Sequence, residues 1–207
     1  MPHLITSIPA PQTNISEFMV NSLNMASDQA ATLHQQYLRE FGSTIEGLIH
    51  CHQVDPMVFN KQVDDALPLE DLLDEDIKLQ KTLARFDTTK VKLWLLTNAH
   101  ITHAHRVVRI LGVERYFEGI TFCDYASEKL VLKPSQKMYA VAERDADVGD
   151  VRRCFFVDNS VQNCIAAQNR GWTVVHLCES PQVIKREDVR YRVGSLHELP
   201  DLFPGFT

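Results

Sequence analysis

The sequence predicts an α/β protein: a doubly wound parallel sheet with a helical subdomain placed ahead of most of it. Three observations carry that expectation. Short apolar runs end abruptly on polar residues, KLWLL before Thr97-Asn98 and FFV before Asp158. A helical-looking segment follows each run and is closed by a glycine, Gly112 or Gly171. Upstream, residues 15–86 look mainly helical. Strands alternating with helices imply parallel strands joined by crossover helices.

Residues 1–14 (MPHLITSIPAPQTN) contain Pro2, Pro9 and Pro11 and no acidic residue. They read as an irregular lead, with a short strand over residues 3–8. Residues 15–86 read as a helical subdomain. Ile15, Phe18 and Met19 form one apolar stripe. Ser27 suits the N-cap of a helix carrying Ala30, Leu33, Tyr37 and Phe41, and Gly42 sits where that helix should stop. Helices are also expected over residues 44–50 and 56–66, with Pro56 in the first turn of the second. Residues 77–86 are amphipathic, and the acidic run 71–76 reads as solvated surface. Residues 87–207 read as the α/β core. Strands are expected at residues 92–96, 120–123, 154–158 and 173–177. Helices are expected over residues 100–111 and 161–170, and after Lys133-Pro134 through Met138, Val141 and Ala142. Pro181 suits the first turn of a short helix, and Ser195 with Glu198 has capping-box spacing.

Composition excludes several classes. Of the 207 residues 44% are hydrophobic and 23% charged, ordinary values for a globular protein. The net charge of -6 argues against a nucleic-acid surface, and the mixed-charge stretch 185–192 forms no basic stripe. No apolar run approaches the roughly 18 residues that span a bilayer, and the N-terminus has no secretory pattern. The five cysteines (51, 123, 154, 164 and 178) include no CxxC pair, which suggests reduced thiols in a cytosolic or nuclear protein. His100 and His103 have helical metal-pair spacing, but His105 does not share their face, so packing or surface histidines are expected. His50 and His52 do not share a face either. Neither a GxxxxGK[ST] nor a GxGxxG phosphate loop is present.

Three polar points fall at strand ends or helix starts: Thr97-Asn98, Lys133 and Asp158-Asn159-Ser160. A hydroxyl with nearby backbone N–H groups can hold phosphate oxygens, and a lysine can neutralise their charge. A carboxylate can hold Mg²⁺. Each point alone has a plainer reading: Thr97 or Asp158 as a helix cap, Lys133 as a surface residue before a proline.

In their order, LWLLTNA, CDYASEKLVLKPS and FFVDNS resemble the haloacid-dehalogenase-like (HAD) phosphohydrolases, and more closely their fungal and plant pyrimidine 5′-nucleotidase branch. Upstream, YLREFGSTIEGLIHCHQVD and VDDALPLEDLL resemble the helical cap of that branch, so the likeness spans about residues 15–203. The resemblance implies a HAD-like, Rossmann-like sheet with a cap, acting on a small phosphate ester such as a nucleoside monophosphate, with Mg²⁺. It implies that Thr97 binds the phosphoryl group with the backbone of Asn98, that Lys133 is catalytic and stabilises negative charge, and that Asp158 is a metal ligand. Asn159 stands where the family has a second Asp. The family's nucleophile lies in a central strand ending DxDx[TV], between the strand ending at Thr97 and the one ending at Asp158. The first carboxylate in this chain is Glu17. The chain is therefore expected to be inactive and to lack that strand, through a shortened gene model, a splice form or an alternative start; the alternative is a pseudoenzyme or truncated isoform that binds phosphorylated ligands or a protein partner. Residues 3–8 could partly fill the gap.

Overall fold

The computed structural model describes residues 1–6, 13–178 and 189–207. Six parallel strands form one sheet: β1 (His3–Thr6), β2 (Lys92–Leu96), β3 (Gly119–Thr121), β4 (Cys154–Asp158), β5 (Thr173–Leu177) and β6 (Tyr191–Val193). Their order is β3-β2-β1-β4-β5-β6. This is the doubly wound, Rossmann-like α/β fold that the strand pattern predicts.

The position of β1 corrects one expectation. The slot between β2 and β4 is occupied: Leu4 is in register with Leu93 on one side and Phe155 on the other. The apolar strands around it are therefore not left without a neighbour. Residues 7 and 8 of the expected strand lie outside the described residues.

Among the described residues there are ten α-helices, named in chain order. Six precede β2: α1 (Thr13–Leu23), α2 (Ser27–Phe41), α3 (Thr44–His52), α4 (Pro56–Phe59), α5 (Leu69–Leu72) and α6 (Ile77–Leu83). Beyond β2 come α7 (Ile101–Ile110), α8 (Gln136–Asp145), α9 (Val161–Asn169) and α10 (Leu199–Leu202). Three helical stretches end where glycine adopts positive φ, at Gly42, Gly112 and Gly171, a conformation that costs glycine no Cβ clash. Two local expectations fail. Ala26, not Ser27, occupies the N-cap of α2. The helix expected over residues 56–66 is broken into α4 and a π-helical turn, Asn60–Asp64. The helix expected at Pro181 lies outside the described residues, whereas the capping box at Ser195 and Glu198 is formed.

Alternation along the strands supplies both faces of the sheet with apolar side chains. Leu4, Leu93, Leu95, Val157 and Val175 pack on one face with Leu79 and Leu83 of α6 and Val108 of α7. Trp94, Leu96, Phe156 and Val174 pack on the other with Met138 and Tyr139 of α8 and Cys164 and Ala167 of α9. A third cluster joins Phe18, Met19, Tyr37, Ile45 and Leu48 to Cys123, Tyr125 and Leu132 of the segment after β3. The helical segment thus rests on the loops at the carboxyl ends of the strands.

At the edge, Gly119 faces Trp94 in register. A Cβ there would strike the indole ring, whose Nε1 donates to Thr121 Oγ1 at 3.0 Å. Gly119→Ala should cost about 1–3 kcal/mol by overpacking, read as a lower midpoint in urea unfolding.

Candidate functional site at the carboxyl ends of β2 and β4

In a doubly wound sheet, ligands bind outside the carboxyl ends of the strands. There β2 delivers Thr97 and Asn98, the segment before α8 delivers Lys133, and β4 delivers Asp158. The structure brings these four together. Lys133 Nζ donates to Asp158 Oδ2 at 2.7 Å and to the carbonyl of Leu96 at 2.9 Å. Both side chains of this ion pair are almost wholly buried, 4% and 1% exposed. The ammonium also lies 5.6 Å from the centre of the Phe156 ring.

Asp158 is fixed on its other side. Its Oδ1 accepts from Ser160 N at 2.7 Å and from Asn163 Nδ2 at 3.2 Å. Ser160, not Asp158, caps α9, through Asn163 N at 3.4 Å. The cap reading of this strand-to-helix turn therefore belongs to Ser160, and the Asp158 carboxylate faces Lys133. Asn159 is exposed, and its carbonyl lies 3.1 Å from Nε2 of buried His176.

Asn98 has a role that the sequence did not signal. Its Nδ2 donates to Lys133 O at 2.9 Å, and its Oδ1 accepts from Lys133 N at 2.7 Å. One amide side chain thus clamps both main-chain groups of Lys133, whose bond to Pro134 is cis. Tyr125 closes the arrangement by donating to Asn98 O at 3.2 Å. Burial holds the Tyr125 phenol well above its usual range, with the Asp64 carboxyl adding to the shift, so it stays a donor. Thr97 Oγ1 accepts from Ala99 N at 3.1 Å, which keeps its hydroxyl at the start of the turn into α7. Asn163 and Tyr125 were missed as well; Tyr125 sits in the CDY run and Asn163 only five residues beyond Asp158, but neither spacing is a known signature.

Other candidates lie elsewhere. His105 pairs with Glu114 at 3.0 Å, and His100 Nδ1 lies 3.1 Å from Thr102 Oγ1. His103 is buried close to the Asp64 backbone, with neither ring nitrogen in a well-formed hydrogen bond. Among the described residues no group of three or more His, Cys, Asp or Glu side chains is arranged to hold a metal.

Chemically the site suits an anion. Two helices of nine residues or more, α7 and α9, start at the ends of β2 and β4, and helix N-termini favour negative charge. An ammonium has three donors. Among the described residues, two acceptors receive Lys133 Nζ, which leaves one N–H for a ligand.

The class is thus a HAD-fold hydrolase, with a cap-like helical insertion between the central strand and its neighbour. The chain belongs to the haloacid dehalogenase-like hydrolase family, whose model matches residues 7–171. It is 34% identical over 180 residues to Phosphate metabolism protein 8 of Saccharomyces cerevisiae, covering 83% of this chain and 56% of that protein. The chain therefore spans little more than half the length of that relative. Among solved structures it is similar to a HAD phosphatase from Thermococcus onnurineus, with a TM-score of 0.68, 18% identity and 99% of both chains covered. It is also similar to the HAD-hydrolase YfnB from Bacillus subtilis, solved bound to magnesium, with a TM-score of 0.68, 13% identity and 97% of both chains covered. At those identities the structural likeness shows the fold alone.

HAD hydrolases generally use Mg²⁺. The donor set described in this chain does not suit that ion. Mg²⁺ demands near-octahedral oxygen ligands. The one carboxylate described beside Lys133 is Asp158, and its oxygens accept from Lys133, Ser160 and Asn163. The charges of Lys133 and Asp158 cancel, so the pair offers a divalent cation no net attraction.

Proposed function

We propose that this chain derives from the pyrimidine 5′-nucleotidase branch of the HAD hydrolases and holds the phosphate group of a nucleoside monophosphate without cleaving it. The observation that carries this reading is Lys133: a buried ammonium with a free donor, set between the turns that lead into α7 and α9. In this reading Thr97 gives its hydroxyl and Asn98 its backbone N–H to phosphate oxygens. Lys133 offsets their charge, and Asp158 holds the lysine in place. Asp158 and Asn159 stand where the branch has its metal ligands. In this reading the cap that selects the ester is drawn from residues 15–86, while residues 87–207 carry the core together with β1, which supplies its central strand, and α6, which packs on its face.

The central strand supports the reading of no turnover. Phosphoryl transfer in this family runs through attack by a carboxylate at the end of that strand, giving an aspartyl-phosphate. Here β1 holds the central place, and residues 3–14, which make up that strand and the stretch just beyond its end, contain no Asp or Glu. Positioning and charge remain, and those bind phosphate without forming the covalent intermediate. The relative's name, a phosphate metabolism protein, agrees with a phosphate-ester ligand. All five cysteines are free thiols, in keeping with a cytosolic or nuclear setting. Among the described residues no helix is long and apolar enough to cross a membrane.

The test is phosphate release from UMP and from p-nitrophenyl phosphate with Mg²⁺ present. No release above the buffer rate is expected. Release that disappears in Lys133→Ala or Asp158→Ala would overturn the reading.

A further inference from the structure

We propose that the Lys133 site takes its tetrahedral oxyanion without a divalent metal, because the lysine has replaced the metal as the cation of the site. The inference rests on the phosphate-holding role proposed above. It goes further, because a site can hold phosphate either through a bridging cation or through protein donors alone.

Three observations separate those cases. First, the Asp158 carboxylate is engaged on both oxygens: Lys133 at 2.7 Å on Oδ2, with Ser160 N at 2.7 Å and Asn163 Nδ2 at 3.2 Å on Oδ1. A cation would have to displace a charge-assisted bond that is already short. Second, the neighbouring position is Asn159, exposed and uncharged, so it adds no anionic ligand. Third, the donors that face the strand ends suit an anion. They are the unspent N–H of Lys133, the Thr97 hydroxyl and the main-chain N–H of Asn98, which has no acceptor among the described residues. The ion pair is neutral as a unit and both its side chains are almost wholly buried, so it adds no net negative charge to attract a divalent cation, while the lysine keeps one donor for an anion.

Calorimetric titration of the full chain with inorganic phosphate tests this, once in EDTA and once with millimolar Mg²⁺. The two dissociation constants should agree within about twofold. Tightening by tenfold or more in Mg²⁺, or binding seen only with Mg²⁺, would overturn the inference. Lys133→Met should weaken phosphate binding by at least tenfold in both buffers; binding as tight as in the parent chain would overturn it too. Should that variant fail to fold, Thr97→Val removes a donor without touching the ion pair. It should weaken binding equally with and without Mg²⁺, and a loss confined to the Mg²⁺ buffer would count against the inference. Failure of the parent reading is distinct. Phosphate release from UMP overturns the claim of no turnover and leaves metal-independent binding standing. Mg²⁺-dependent binding without release overturns only the present inference.

Discussion

Lys133→Met should destabilise the fold by about 3–5 kcal/mol, the usual cost of removing one partner from a buried ion pair. That is a large part of the roughly 5–15 kcal/mol that holds a domain together. The cause is the charge left behind. Asp158 is 2% exposed, and the variant removes the charge-assisted bond from the ammonium at 2.7 Å while the neutral donors Ser160 N and Asn163 Nδ2 stay in place. Methionine fills the volume of the lysine stem, so a cavity contributes little. The double variant Lys133→Met/Asp158→Asn separates charge from packing. It removes the Asp158 charge while Oδ1 still accepts from Ser160, and should recover about 1–3 kcal/mol relative to the sum of the single changes. Urea unfolding of the four proteins gives the cycle. A Lys133→Met chain as stable as the parent would show that this pair does not anchor the loops around it.

The strands β2 and β5 were legible to the residue because each is a short apolar run buried on both faces, with polar residues beyond its end. The helix stops at Gly42, Gly112 and Gly171 were legible because positive φ selects glycine. The place of β1 was legible only through the family resemblance, which left the central slot for residues 3–8 to fill. Its four residues carry no periodic signal, and its position comes from pairing with residues about 90 and 150 positions away. The site was half legible. Residue types and order marked Thr97, Asn98, Lys133 and Asp158, but the partners did not follow from them. Asn98 pointed to a backbone donor, whereas its side chain clamps Lys133. Asp158 was read as cap or metal ligand, and it holds an ion pair while Ser160 caps the helix. Such assignments depend on which of several suitable donors reaches an acceptor first, which spacing does not encode.

Asp64→Asn should stabilise the protein at and above neutral pH and make its stability rise more steeply with pH between about 5 and 7. Asp64 was legible only as a residue of a helical stretch, yet in the π-turn it is buried, 9% exposed, and its Oδ2 has no partner among the described residues. Burial, reinforced by the neighbouring Asp65 charge, raises its pKa from 3.8 to about 7. The groups packed against the turn cannot relieve it. Arg106 of α7 binds the carbonyls of Asp64, Asp65 and Leu67 rather than the Asp64 carboxylate, and Thr102 serves Asp65. Asn60 likewise donates to Asp65, and Tyr125 to Asn98. The sign follows from proton counts. Between pH 3.8 and about 7 the native state keeps a proton that the unfolded chain has released, so stability falls as pH rises through that window. A shift of about three units, at 1.36 kcal/mol each, sets an upper bound of about 4 kcal/mol. His3, His34 and His103 act in the opposite sense. Burial lowers all three, so the unfolded chain binds protons first and stability falls as pH drops below 6.5. In the parent chain the two effects oppose each other. In Asp64→Asn the carboxyl contribution is absent, and stability should rise with pH to a plateau near pH 7. Urea midpoints measured from pH 5 to pH 8 decide the matter: parallel profiles for the two chains would show that Asp64 ionises freely in the native state.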